Sequence, residues 1–157
     1  LLLQCLASLN QMRSREGKNL KRVILKYIGD FEKKLSHIVQ VKERFSKEYY
    51  ARLQSKMSLL LGDTRLDPNR LHQEVAYLMD RSDVSEELDR LQSHLEQFKR
   101  GAQEKGAIGK QLDFMIQEMN REINTIGSKI QDKGLTVHVI ACKALLEKVR
   151  EQIQNVE

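Results

Sequence analysis

The chain has 157 residues, of which 40% are hydrophobic and 31% charged, the length and composition of one folded globular domain. A single proline, no tryptophan and only 5% aromatic residues disfavour a β-sandwich or a β-barrel. Two cysteines cannot supply a disulfide framework, and the net charge of +5 favours an anionic partner without naming it.

Charge is unevenly distributed along the chain. Residues 1–60 contain 13 Lys and Arg against 5 Asp and Glu, a net charge of +8. Residues 61–96 contain 4 against 9, a net of −5, and residues 97–157 contain 10 against 8, a net of +2. The basic segment is suited to holding phosphates, and the acidic segment to holding a cation.

The sequence carries no membrane or export signal that we can identify. Nothing approaches the roughly 18 consecutive apolar residues of a membrane-spanning helix, so we expect no membrane partner. The first residues are apolar at helical spacing but lack the basic segment and cleavage site of a secretory signal. With few cysteines, this predicts a cytoplasmic protein. Because Leu1 comes first instead of methionine, we expect the sequence to be part of a longer chain.

The first 60 residues show helical periodicity, with apolar residues at alternating steps of four and three. At 1.5 Å per residue, the part from Leu20 to Phe45 alone makes a rod of about 39 Å, which indicates an elongated hairpin or stalk. Gly62-Asp63 then ends the helix. We predict a basic helical arm over 1–62 and a C-terminal helical domain over 63–157. The apolar stripe of the arm contains Leu20, Ile24, Tyr27, Phe31, Leu35, Ile38, Val41, Phe45, Tyr49, Leu53, Met57 and Leu60.

Further helices are predicted after Asp67-Pro68, whose proline suits a first helical position. Ser82 or Asp83 can cap the next helix, and the glycine-rich stretch 101–109 is the clearest loop. Gly127-Ser128 is expected to end or bend the helix that follows. The fold class is therefore all-α, an elongated bundle of long antiparallel helices with coiled-coil-like packing. The stripes of these helices are Val84, Leu88, Leu91, Leu95 and Phe98; Leu112, Ile116, Met119, Ile123 and Ile126; and Leu135, Val139, Cys142, Leu146, Val149, Ile153 and Val156.

One helix carries a polar face beside its apolar stripe. Asp83, Glu87 and His94 are spaced by four and seven residues, so they share one side, and Arg90 lies among them. One interpretation is a solvated face with ion pairs between successive turns. The other is a site for a hard cation with an imidazole available for proton transfer. Carboxylate ligands suit Mg²⁺ or Mn²⁺ better than zinc.

The helix after the loop has two polar ridges. Glu118 stacks on Glu122, and Asn120 stacks on Asn124, each pair four residues apart. A like-charge pair at that spacing costs a few tenths of a kcal/mol, and asparagine is a poor interior helix residue. The ridges fit either a polar network between helices or a functional site.

The basic arm contains a ridge of cations. Lys18, Arg22 and Lys26 follow one another at steps of four, with Arg15 nearby, and such a ridge can track a phosphate backbone. The alternative is that a long helix carries lysine for solubility. We find no glycine-rich phosphate loop, nucleophile elbow or zinc motif, so we expect no nucleotide cofactor.

Three segments together resemble a known family. DRSDVSEELDRLQSHLEQF (80–98), GKQLDFMIQEMNREINTIGSK (109–129) and KALLEKVREQIQNVE (143–157) resemble the C-terminal region of the YicC/YloC family, as does MRSREGKNL (12–20). The resemblance implies a bacterial cytoplasmic endoribonuclease that depends on a divalent metal, with Mn²⁺ favoured over Mg²⁺. It also implies a ring-like homo-oligomer, a hexamer being the expected form. Family members normally begin with another domain, which this sequence does not contain.

The resemblance implies that the two acidic faces together form a site that cleaves RNA. We expect helices 83–100 and 110–127 to pack side by side and bring the faces together. The alternatives are a non-catalytic helical RNA-binding adaptor and a structural coiled-coil assembly module. The predicted metal ligands are Asp83, Glu87, Glu118 and Glu122. The predicted catalytic residues are His94, Glu87, Glu118, Glu122 and Arg121. The predicted RNA contacts are Arg15, Lys18, Arg22, Lys26 and Lys129.

Overall fold

The computed structural model of the protein describes residues 2–61, 68–104, 108–130 and 132–154. All regular structure in these ranges is helical, which confirms the all-α prediction. No helix within them is long and apolar enough to cross a membrane. The helices are α1 (Leu2–Leu61), α2 (Pro68–Ser82), α3 (Ser85–Gly101), α4 (Gly109–Lys129) and α5 (Lys133–Ile153).

Helix α1 is 60 residues long, about 90 Å at the α-helical rise, and only its middle enters the core. The predicted stripe is buried at Ile24, Phe31, Leu35 and Ile38, and Tyr27 is partly buried against the same core. Ile28, which the stripe did not include, is buried as well. Toward the N-terminus, Leu2 and Leu6 are exposed because the helix extends past its partners there. The division into an arm and a domain stays a prediction, since α1 itself supplies part of the core.

Helices α1 and α5 run antiparallel, as ring contacts at two levels show. His37 of α1 stacks on His138 of α5, and the ammonium of Lys148 lies over the ring of Tyr27. Helix α5 also packs against α4, and α2 packs along α1. The predicted α5 stripe is buried from Leu135 to Ile153, so the β-branched start of this helix is helical; Val156 lies outside the described residues.

Helices α3 and α4 form an antiparallel hairpin. The last residue of α3, Gly101, lies close to Leu112 in the first turn of α4, and at the other end Lys129 of α4 contacts Glu87 of α3. The five core residues predicted for each helix are buried, with Val84 directly before the start of α3. This confirms the expected side-by-side packing of the two helices.

Aspartates accept backbone hydrogen bonds at the start of two helices. Asp83 Oδ1 accepts a hydrogen bond from the Ser85 backbone N–H at 2.9 Å. The N-cap residue of α3 is nevertheless Val84, without a side-chain cap bond, so the predicted cap at Ser82 or Asp83 is wrong. Asp132 Oδ1 accepts a hydrogen bond from the Leu135 N–H at 2.9 Å. Such bonds satisfy backbone donors that have no partner inside the helix.

Helix α4 ends at Lys129, one residue after the Gly127-Ser128 pair predicted to end or bend it. Gly127 allows α4 to lie close to α5. A Cβ atom at this position would lie 3.0 Å from Val139 Cγ1 on α5, so the missing side chain lets α4 and α5 approach each other.

We predict that Phe98→Ala lowers the free energy of unfolding by roughly 3–5 kcal/mol, since the ring is 0% exposed and its loss leaves a cavity. Phe114→Ala is the matched control, because that ring is 59% exposed on α4. Its cost should stay within about 0.5 kcal/mol in urea titrations. Equal losses in the two variants would contradict the assigned core.

A second pair of variants tests the helix approach at Gly127. Gly29→Ala meets nothing within 4 Å and should raise the free energy of unfolding by about 0.5–1 kcal/mol, since alanine is the better helix former. Gly127→Ala should lose that gain, because Val139 is buried and its side chain is stiff. Thermal unfolding that shows the same gain in both variants would refute the close approach.

Candidate functional site

Two carboxylates are buried at the seam between α3 and α4. Glu87 is 4% exposed and Glu122 is 6% exposed, and no other charged side chain in the described part of the chain is classed as buried. Each glutamate directly precedes a core residue, Leu88 in α3 and Ile123 in α4, so each lies at the edge of the stripe that faces the other helix. A buried carboxylate needs a partner, because its loss of hydration is costly.

Glu87 takes its partner from the end of α4. Lys129 Nζ donates a hydrogen bond to Glu87 Oε1 at 2.8 Å and another to the Asp83 carbonyl oxygen at 3.0 Å. Arg90 Nη2 lies 3.6 Å from the same Glu87 oxygen. The carboxylate thus ties the first turn of α3 to the last turn of α4.

Glu122 is held by a two-pronged contact from α3. Arg90 Nε donates to Glu122 Oε1 at 2.9 Å, and Arg90 Nη2 donates to Oε2 at 3.2 Å. Arg90 Nη1 also donates to Glu86, one turn earlier on α3. The planar guanidinium suits this arrangement, since its donors match the two oxygens of a carboxylate. One arginine therefore interacts with Glu86, Glu87 and Glu122.

The charges of the seam reinforce one another. Burial raises the pKa of Glu87, but the hydrogen bond from Lys129 and the charges of Lys129 and Arg90 outweigh it, so the pKa of that carboxyl is lowered. The hydrogen bond to Glu122 raises the pKa of the Arg90 guanidinium. The ion pairs are consequently the stable form at neutral pH.

Asp83 lies at the edge of the seam and faces α1. Its Oδ1 accepts a hydrogen bond from Ser85 Oγ at 2.6 Å and lies 3.4 Å from Lys42 Nζ of α1. The Ser85 hydrogen bond lowers the pKa of this carboxyl, with a further contribution from Lys42. Asp83 therefore contacts the first residue of α3 and joins this helix to α1.

Glu118 and His94 lie outside the buried ion pairs of the seam and are half-buried. Glu118 Oε2 accepts a hydrogen bond from Arg121 Nη1 at 3.2 Å within α4, and its side chain is 17% exposed. His94 is half-buried on α3, and no hydrogen bond or ion pair reaches its imidazole from the described residues. Of the predicted catalytic residues, His94, Glu118 and the 72% exposed Arg121 keep groups that a substrate could reach.

The predicted metal ligands do not form a donor set in this structure. Among the described residues, no group of three or more His, Cys, Asp or Glu side chains is arranged to hold a metal ion. Glu87 and Glu122 face cations, although Glu87 Oε2 is buried without a hydrogen-bond partner. The side chains of one chain thus do not fit a metal as they stand, and the assignment of Asp83, Glu87, Glu118 and Glu122 stays a prediction.

The predicted RNA contacts fall into two groups. Arg15, Lys18, Arg22 and Lys26 are exposed along α1, where the ridge is open to a ligand. Lys129 is instead occupied by Glu87 and the Asp83 carbonyl oxygen.

Sequence reasoning missed the partners of the buried carboxylates. Arg90 lies on the predicted polar face without an assigned role, and Lys129 is predicted as an RNA contact instead of the partner of Glu87. One available signal was that Arg90 follows Glu86 by four residues and Glu87 by three, which places both within its reach.

Comparison with known proteins places this helical seam in a family. The family model described as "Endoribonuclease YicC-like, C-terminal" matches residues 38–157, which include all of α3, α4 and α5. The chain belongs to the YicC-like family. The resemblance noted in three segments of the sequence is thereby confirmed.

Two curated relatives match the chain along nearly its whole length. The "Probable endoribonuclease YicC" of Clostridioides difficile (strain 630) is 42% identical over 153 residues, which are 97% of this chain and 52% of that protein. The protein of the same name from Haemophilus influenzae is 39% identical over 151 residues, 93% of this chain and 50% of the relative. The chain spans about half the length of these YicC relatives.

The seam predicts a pH-dependent loss of stability in this YicC-like chain. Lys129→Met leaves Glu87 without its closest cation and should lower the free energy of unfolding by roughly 1–3 kcal/mol at neutral pH. Because the folded-state pKa of Glu87 lies below its ordinary value of 4.5, this contribution is present above that pH and disappears as the pH falls through the lowered pKa.

Urea titrations of wild type and Lys129→Met at about pH 7 and about pH 3.5 measure the difference directly. The gap between the two proteins should shrink at the lower pH. Lys110→Met, which removes an exposed lysine from the same helix, is the control and should show little gap at either pH. A gap that stays constant with pH would rule out the Glu87–Lys129 pair as its source.

Proposed function

We propose that the chain is the helical part of an endoribonuclease that cleaves RNA phosphodiester bonds. The observation that carries the proposal is family membership combined with two relatives, each about 40% identical over nearly the whole chain, whose names describe a probable endoribonuclease. RNA is then the substrate. Because the match spans half of each relative, the complete activity belongs to a protein that we take to be longer than this chain.

The exposed ridge on α1 supports a role in holding RNA. Lys18, Arg22 and Lys26 follow one another by one turn each, about 6 Å along the helix axis, and all three are exposed. Charges at this spacing can neutralise successive phosphates without reading the bases. Arg15 extends the same exposed segment.

For the chemical step, His94 and Glu118 are the residues that we assign to proton transfer. An accessible imidazole without a partner can accept or donate a proton, and a half-buried carboxylate beside Arg121 can share this task. Arg121 is available to stabilise negative charge on the phosphate. Glu87 and Glu122 act in this scheme by fixing α3 against α4, not by contacting RNA.

Metal dependence is also part of the proposal, with Mn²⁺ favoured, and its support is the family resemblance alone. Within the described residues the side chains offer no ready-made donor set, so we assign the ion no ligands and no step. We further propose a homo-oligomer, a hexamer by the same resemblance, acting in the cytoplasm.

A second candidate function is a helical RNA-binding adaptor. The observation in its favour is that the buried carboxylates are already neutralised by Arg90 and Lys129, which is what a structural seam requires. An adaptor needs the α1 ridge but not His94 or Glu118.

Cleavage assays on the full-length protein separate the two functions. With Mn²⁺ and a single-stranded RNA, we expect His94→Ala and Glu118→Gln to reduce the cleavage rate by about 10²-fold or more while RNA binding is retained. His72→Ala and Glu96→Gln change exposed residues of the same types on α2 and α3 and should leave cleavage unchanged.

Binding by the wild type without any cleavage would favour the adaptor. Cleavage that survives in both His94→Ala and Glu118→Gln would remove these residues from the active site. Chelation of divalent ions tests the metal in the same assay, since wild-type cleavage that continues in EDTA would refute metal dependence.

A further inference from the structure

A pocket of about 520 Å³ opens between α1 and α5, apart from the α3–α4 seam. Its walls carry Lys33, Lys34 and His37 from α1 and Lys148 from α5, against a single carboxylate, Asp30. The α5 wall also includes Ala141 and Ala144, whose short side chains leave the space open.

The one carboxylate does not neutralise the pocket. Asp30 Oδ1 lies 3.2 Å from Lys33 Nζ, which pairs these two residues within α1. Lys34 and Lys148 form no ion pair with a described carboxylate. The pocket therefore keeps two uncompensated ammonium groups, one on each helix.

Lysines from both helices line the space between them. Lys148 Nζ lies 5.8 Å from the ring centroid of Tyr27 on α1, a cation–π contact that orients the charge without cancelling it. Lys34 lines the same pocket from the α1 side.

Histidines add hydrogen-bond donors at the same junction. The rings of His37 and His138 stack with centroids 5.3 Å apart and planes inclined by 22°, which joins α1 to α5 beside the pocket. An imidazole has at least one N–H donor in either protonation state. Lysine and histidine donors around a cavity of this size match the oxygens of a phosphate group.

The pocket also continues the ridge of cations on α1. Lys26 and Lys33 are seven residues apart, close to two helical turns, so they lie on the same face about 10 Å from each other. An RNA strand whose phosphates contact Lys18, Arg22 and Lys26 would therefore reach the pocket.

We propose that the pocket between α1 and α5 is a phosphate-binding site formed by Lys34, Lys148 and His37. The ligand is a phosphate group, supplied either by the backbone of an RNA strand or by a free phosphate ion. The RNA source rests on the proposed function, whereas the phosphate chemistry follows from the charges of the pocket.

The test uses the full-length protein in EDTA, so that binding is measured without cleavage. Anisotropy of a labelled single-stranded RNA is compared in wild type, in the double variant Lys34→Gln/Lys148→Gln and in the control Lys110→Gln/Lys143→Gln. Both double variants remove two positive charges, and the control residues are exposed and lie outside the pocket. We expect about a tenfold or larger loss of affinity in the pocket variant, and a shallower salt dependence, with less than twofold loss in the control.

Inorganic phosphate separates the two sources of the ligand. Thermal unfolding in phosphate and in chloride at equal ionic strength shows whether the free ion stabilises wild type but not Lys34→Gln/Lys148→Gln. If phosphate stabilises wild type and the double variant keeps its RNA affinity, the pocket binds the free ion. If the double variant loses RNA affinity and phosphate does not stabilise wild type, the pocket binds the RNA strand.

Two outcomes would overturn the site. Equal losses of RNA affinity in the pocket and control variants would mean that only the overall charge of the protein matters. If the pocket variant binds RNA as wild type does and phosphate stabilises neither protein, the pocket is not a phosphate-binding site. A protein that binds phosphate here but cleaves no RNA would refute the endoribonuclease while leaving this site in place.

Discussion

The arrangement of α3 and α4 depends on the burial of two glutamates and on the cations that neutralise them. Glu87 and Glu122 lie almost without solvent on opposite helices, and each receives its cation from the other helix, Lys129 in one case and Arg90 in the other. Each helix thus supplies one buried carboxylate and one cation. This exchange fixes the register of the hairpin, because a slip by one residue would leave both carboxylates buried without a partner.

This constraint explains why the polar face of α3 persists beside an apolar stripe. Apolar packing alone would hold α3 against α4 but would tolerate sliding, since one buried leucine can take the place of another. The ion pairs add direction to a contact that is otherwise non-directional. At the edge of the seam, Asp83 forms an ion pair with Lys42 of α1. The polar contacts therefore join three helices and not only two.

The apolar pattern of the sequence was sufficient for the fold, and the polar pattern was not sufficient for the site. Helical stripes in α3, α4 and α5 are buried as predicted because burial depends on a periodicity that one segment contains by itself. The ion pairs depend on two segments that lie about 30 or more residues apart, and spacing within one helix cannot show which charge meets which. The close approach at Gly127 could not be predicted for a related reason, since the residue it accommodates, Val139, is on another helix.

The same carboxylates could serve either as ligands of a cation or as structural ion-pair partners, and these two roles make different demands. A cation-binding site requires oxygens with free lone pairs, whereas Glu122 uses both of its oxygens on Arg90 and Glu87 uses one on Lys129. Glu87 Oε2 is the exception, a buried oxygen with no hydrogen-bond partner among the described residues. Any ion that took this oxygen would have to compete with Lys129, so charge repulsion would favour movement of the lysine on binding. The seam is thus a structural element in this conformation, and its conversion into a metal site would require α3 and α4 to exchange ion pairs for metal ligands.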